Sequence, residues 1–226
     1  MHGEIRVVEH VPQEFAALIA AAAPQSIVLS GGATARRCYE LLDVADVAWR
    51  TVDVFFGDER WVPVDDPDSN EGMARHTFLD TVIPRTIHSL RHAGSTLEEA
   101  AQRYDGILRD HGPVDAVHLG LGPDGHTASL FPGSSALDVH DRLVIATGDD
   151  HHPHPRLTWT YPAIAAAGLV IFTVEGAAKR PVFERLVAGD DLPAARVEAE
   201  RILWLVDHAA AGSAVPGPTE PAPPSE

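Results

Sequence analysis

Short apolar runs alternate along this chain with stretches whose apolar residues recur at helical spacing. Glu4 to Glu9, Ser26 to Ser30, Thr51 to Phe56, Ala116 to Leu119, Arg142 to Thr147, Gly168 to Val174 and Ile202 to Val206 read as strands, several too apolar to have a solvated face. Pro12 to Ala23 reads as an Ala- and Leu-rich helix that Pro24 ends, and Thr34 to Leu42 as a second helix. Ser69 or Asn70 can cap a third, running to about Asp80. Ser95 with Glu98 fits a capping box, and Leu97, Ala101, Tyr104 and Leu108 then predict a helix over Ser95 to Asp110. A further helix after Glu175-Gly176 carries Lys179 and Arg180, with Pro181 tolerated in its first turn. The alternation predicts an α/β fold: a three-layer α/β/α arrangement around a mostly parallel, Rossmann-like sheet. Residues 1–212 suit one such domain, and from 213 to 226 the chain is too proline-rich and polar to pack, so a disordered tail is expected.

The stretch VDAVHLGLGPDGHTASLFPGS, Val114 to Ser134, stands apart. A buried strand runs straight into Gly120, Gly122 and Gly125, with Asp124 and His126 beside them. Open α/β sheets keep their ligand crevice at such strand ends. Gly120-Leu121-Gly122-Pro123-Asp124-Gly125 formally matches a dinucleotide fingerprint, but Asp124 would face the pyrophosphate and Pro132 cuts off the helix that motif needs, so the match is accidental. Two other strand ends face the same edge. Ser26 to Ser30 leads into Gly31-Gly32 and a helix start, which offers free backbone N–H groups to an anion. Arg36 and Arg37 in that first turn hint at the same anion. Thr51 to Phe56 leads into GDERWVPVDDPDSN, which as a loop would carry Asp58, Glu59 and Arg60 on the crevice edge. Arg156 opens an ordered alternating run and could grip a phosphate or carboxylate, and Lys179 opposes the dipole of its helix unless an anion is near.

Composition narrows the partners. A formal charge of −16 over 226 residues argues against a nucleic-acid or membrane surface, so cationic contacts to any anionic ligand must be few and local. The single Cys38 can form no internal disulfide, and His151, His152 and His154 lie in a proline-broken segment with no shared face, so no metal site is expected. MHGEIRVVEH places charges where a signal peptide needs an apolar run, and the longest apolar stretch, Phe15 to Ala23, is far below the roughly 20 residues of a membrane span. A cytoplasmic protein is expected. Its chemistry is either hydrolysis of a small phosphorylated ester, with His126 as proton acceptor and Asp124 or Asp58 fixing its tautomer, or sugar-phosphate isomerisation or deamination with a carboxylate such as Asp58 as base.

LSGGATARRCYELL (Leu29 to Leu42), FFGDERWVPVDDPDSN (Phe55 to Asn70) and HLGLGPDGHTASLFPGS (His118 to Ser134) closely resemble the signature blocks of the 6-phosphogluconolactonases, within the group that includes the glucosamine-6-phosphate deaminases. PRLTWTYPAI, the GAAK ending at Lys179 and ILWLVDHAAA are also similar to this family. The resemblance implies a sugar-phosphate isomerase/deaminase-like fold. It also implies hydrolysis of 6-phospho-D-glucono-1,5-lactone, the second step of the oxidative pentose phosphate pathway, without metal or organic cofactor. His126 would activate water, and Asp124 and Asp58 would orient the site. Arg60 and Arg156 would bind substrate, its phosphate being the natural target, with Gly31, Gly32 and Lys179 contributing. Deaminases of the group typically read Asp-Glu-Tyr in the acidic loop and run from the histidine block into Phe-Asn-Glu-Pro. Here Arg60 and Ser129-Leu130-Phe131-Pro132 stand in those places, which favours the lactonase. Ala35 departs from the lactonase pattern, which usually has Pro there. The alternatives are a deaminase-like enzyme and a non-catalytic sugar-phosphate binder, although a binder would be expected to lose His126. A monomer is expected, with a dimer as the alternative.

Overall fold

A computed structural model of the chain describes residues 1–148 and 153–213. The expected tail beyond 213, like His151 and His152, lies outside the described residues. The first half forms β1 (Glu4–Val8), α1 (Val11–Ala22), β2 (Ser26–Leu29), α2 (Ala33–Glu40), β3 (Asp53–Phe56), β4 (Asp58–Arg60), α3 (Asn70–Ala74), α4 (Asp80–Val82) and β5 (Thr86–Ile87). There follow α5 (Leu97–His111), β6 (Ala116–Gly120), β7 (Val144–Thr147), β8 (Arg156–Trp159), α6 (Tyr161–Ala165), β9 (Leu169–Val174), α7 (Arg180–Val187), β10 (Ile202–Asp207) and α8 (His208–Ala211). Seven strands pair in parallel in the order β1-β10-β9-β6-β2-β3-β5, with helices flanking the sheet.

The apolar runs become strands because burial on both faces is the way to hide them. Every residue of β2, β3 and β9 is buried. Helix α1 buries Val11, Phe15, Ala16 and Ile19, one stripe at helical spacing, and packs against α2, β9 and β10. Burying each such large apolar side chain contributes roughly 1.5–3 kcal/mol before chain entropy is counted. No helix among the described residues is long and apolar enough to cross a membrane.

Three expectations need correction. First, the chain leaves the parallel sheet at Gly57, whose N–H donates to Leu29 and whose carbonyl accepts from Trp159. Asp58, Glu59 and Arg60 are therefore not a loop. They form β4, the edge of a separate antiparallel sheet, β4-β8-β7, which also takes the strands near Arg142 to Thr147 and at Arg156. Second, the capping box sits one residue later: Thr96 Oγ1 accepts from Glu99 N–H (3.2 Å) and Glu99 Oε2 accepts from Ser95 N–H (3.0 Å). Thr96 has the extended backbone a cap needs. Third, the helix after Ser69 is not regular, since a π-helical turn, Arg75–Leu79, separates α3 from α4.

Candidate active site

Strand β2 is followed by β3 on one side, while β6 is followed by β9 on the other, so the chain diverges between β2 and β6 at the carboxyl edge of the sheet. That divergence opens a crevice by construction. A cleft of about 200 Å³ lies there, bounded by Gly31 and Gly32 after β2, Asp58 and Arg60 on β4, His126 after β6, Arg156 on β8 and Lys179 after β9. Of the sequence-predicted site residues, Asp124 alone is not in the wall; it stands behind His126.

His126 is held on three sides. Its carbonyl accepts from Gly122 N–H (2.8 Å), and Gly125 N–H closes the turn on Gly122 (3.0 Å) with Gly125 at φ +91°. Asp124 Oδ1 accepts from the His126 backbone N–H (3.1 Å) and from ring Nδ1 (2.6 Å). A carboxylate at Nδ1 fixes the tautomer that leaves Nε2 as the proton acceptor. Burial works to raise the Asp124 carboxyl, but the His126 amide and ring outweigh it and hold it below its ordinary value, so it is ionised at neutral pH. The Phe131 ring lies 4.6 Å from the imidazole, centroid to centroid. No helix follows this turn, in agreement with the rejection of the dinucleotide motif.

The period of two along β4 sorts its three charged residues. Asp58 and Arg60 line the cleft, while Glu59 points the other way, toward the start of α3. Glu59 is 1% exposed and accepts from the N–H groups of Arg60, Asn70 and Glu71 (2.8 Å each) and from Ser69 Oγ (2.9 Å). Burial pushes its carboxyl up to about 7 even so. Its work is to tie β4 to α3. Asp58 does not hold the His126 ring; that expectation falls to Asp124. Both Asp58 oxygens are engaged instead, Oδ2 by Ser129 Oγ (2.7 Å) and Oδ1 by Asn70 Nδ2 (3.2 Å).

Arg60 and Arg156 are directly opposite each other in the β4–β8 register. Like charges in that relation repel. Among the described residues the Nε of each guanidinium is buried with no hydrogen-bond partner, while Arg60 Nη1 donates to the Asp68 carbonyl (2.5 Å) and the Arg156 head lies 5.5 Å from the centre of the Phe131 ring. Burial lowers the Arg156 pKa, Asp58 opposes that, and Arg60 adds to it. An anion between the two heads would relieve both the repulsion and the orphaned donors. Lys179 closes the far wall, its Nζ donating to the Leu121 carbonyl (2.6 Å), and burial lowers its pKa while Asp124 resists. Arg36 and Arg37 take no part. They pair with Glu40 (3.4 Å) and Glu175 (2.5 Å), so neighbouring carboxylates, rather than a ligand, answer for those charges. Likewise His154 meets Asp68 (3.0 Å).

Residue-by-residue reading missed Ser129 and Asn70, although both lie inside the quoted blocks. Asn70 could pass for a helix cap; the cap is Ser69, whose Oγ accepts from Gly72 N–H (2.9 Å), which frees the Asn70 side chain for the cleft.

The family described as glucosamine-6-phosphate isomerases/6-phosphogluconolactonase matches residues 4–204. This chain belongs to that family. A 6-phosphogluconolactonase of Nostoc sp. is 42% identical over 200 residues, covering 82% of this chain and 82% of the relative. One from Synechocystis sp. matches to the same extent. Among solved structures, 6-phosphogluconolactonase from Leishmania guyanensis superposes with a TM-score of 0.81 at 28% identity, covering 94% of this chain and 99% of that one. Arg60 lines the cleft, Ser129 Oγ donates to Asp58, and the Phe131 ring lies against His126.

Proposed function

We propose that this cleft hydrolyses 6-phospho-D-glucono-1,5-lactone to 6-phospho-D-gluconate, the second step of the oxidative pentose phosphate pathway. The observation that carries the mechanism is the Asp124–His126 pair at 2.6 Å in the same cleft as two arginines with unpartnered Nε groups. His126 Nε2 takes a proton from water as the oxygen attacks the lactone carbonyl carbon. The ring C–O bond then breaks, and the imidazolium returns the proton to the departing ring oxygen. Asp124 stabilises the imidazolium between these two transfers. At the other end the phosphate meets Arg60 and Arg156, with Lys179 and the Gly31-Gly32 turn at the start of α2 completing its surroundings. Held there, the phosphate fixes the carbonyl over the histidine. With both its oxygens engaged, Asp58 orients the cleft rather than acting as a base on carbon. On this reading the protein is a cytoplasmic enzyme that works as a monomer, with a dimer as the alternative.

Two predictions follow from single contacts. Replacing Arg60 or Arg156 by Ala removes a charge-assisted contact of about 1.5–3 kcal/mol, so each variant should bind 6-phosphogluconate roughly 10- to 100-fold more weakly by calorimetry. Wild-type affinity in both would remove the arginines from the phosphate site. At Gly122, an added methyl would sit 2.2 Å from His126 Nδ1 and force the ring aside. Gly122→Ala should therefore lower kcat by about 10²-fold, the usual consequence of misplacing a reacting group by about 1 Å. An unchanged kcat would mean the ring position seen here is not the working one.

A further inference from the structure

Asn70 is 2% exposed, yet its side chain forms part of the cleft wall. Its amide has one possible orientation. Nδ2 faces two acceptors, the Asp58 carbonyl oxygen (3.0 Å) and Asp58 Oδ1 (3.2 Å), so both amide hydrogens have their partners there. Oδ1 therefore points the opposite way, toward Gly31, where an added methyl would come within 1.9 Å of it. Among the described residues no donor reaches Oδ1. An acceptor at the cleft wall on a side chain otherwise packed away, fixed in direction by a carboxylate that Ser129 fixes in turn, is placed to meet a donor from a ligand.

On the lactonase reading of this cleft, we propose that Asn70 is a specificity residue whose Oδ1 accepts a hydrogen bond from one of the free hydroxyls of the substrate. The substrate's chemistry leaves little choice. A phosphate dianion and a lactone carbonyl carry no hydrogen to donate, and an amide oxygen repels both. The hydroxyls at C2, C3 and C4 are the donors available. Asn70 lines the same cleft as His126, Arg60 and Arg156, so its acceptor shares the space that the substrate occupies. Gly31 is needed because any side chain there would displace the acceptor.

The test compares kcat/KM on the parent lactone with kcat/KM on the lactones lacking the C2, C3 or C4 hydroxyl. Each is made in situ by oxidising the corresponding deoxy-sugar 6-phosphate. With wild type, one of the three should be about 10- to 100-fold poorer than the parent, the usual size of one lost hydrogen bond in a buried site. Asn70→Leu, similar in volume but unable to accept, should no longer prefer the parent over that deoxy lactone, while the contact with Asp58 that it also loses lowers the rate on all four lactones by a common factor. Asn70→Ala removes the same acceptor and serves as the second variant should the leucine prevent folding. A loss in the variants that is only this common factor, leaving the wild-type preference in place, would overturn the proposal. Wild type inactive even on the parent lactone would instead show that the lactonase reading has failed, and the proposal with it.

Discussion

His126→Ala should turn over 6-phosphogluconolactone roughly 10² to 10⁴ times more slowly than wild type, the range a positioned general base supplies. Its affinity for 6-phosphogluconate should stay within about threefold, because in the proposed mechanism the imidazole meets the reacting end of the ligand and the cations the other. The split matters more than the size of the loss. A variant that lost binding and turnover together would point to a collapsed turn, and the wall of the cleft would then owe its shape to the ring. The surrounding bonds argue otherwise, since Gly122 and Gly125 close the turn through backbone contacts that an alanine leaves in place. Unchanged turnover would exclude His126 as the base.

Glu59→Gln should markedly destabilise the fold. Each Glu59 oxygen faces two donors, so the amide NH₂ that replaces one oxygen must confront two N–H or O–H groups whichever way it turns. Leaving such donors unpaired in the interior costs about 1–3 kcal/mol each, so a loss of about 3 kcal/mol is expected. In a domain of this size that lowers the melting temperature by about 6–12 °C. The deficit has a pH signature. With the folded carboxyl at about 7 against an ordinary 4.5, the native state holds this proton more tightly than the unfolded chain. That contribution is complete below the unfolded value and is lost as the pH rises through about 7. Wild type should thus exceed Glu59→Gln by more at pH 5 than at pH 8 in thermal melts. Equal melting temperatures for the two proteins would contradict the role given to Glu59.

The parallel sheet was legible because its strands are buried on both faces, and continuous apolar runs such as Leu169–Val174 have few other uses. The site was legible for a different reason. Glycine, acid, histidine and cations following strand ends have one common destination in such a sheet, and Gly31, Arg60, His126, Arg156 and Lys179 all reach it. What the sequence concealed was the small antiparallel sheet. Asp58, Glu59 and Arg60 look like a solvated turn because no apolar residue marks the inward side. Burial at Glu59 is made tolerable by backbone donors that arrive from residues 70 and 71, a long-range supply that local pattern cannot reveal. The same limit hid Ser129 and Asn70, whose partner Asp58 is distant in sequence from one and across a loop from the other. Arg36 and Arg37 misled in the opposite direction. Their position at a helix start suggested an anion, and Glu40 and Glu175 supply the negative charge without one.

The most direct test of the central claim is the rate at which freshly made 6-phosphogluconolactone disappears at neutral pH with wild type, measured against buffer and with ammonia release from glucosamine 6-phosphate followed in parallel. The account predicts lactone loss well above the spontaneous rate and no ammonia. Lactone decaying at the buffer rate while the protein is folded would contradict it.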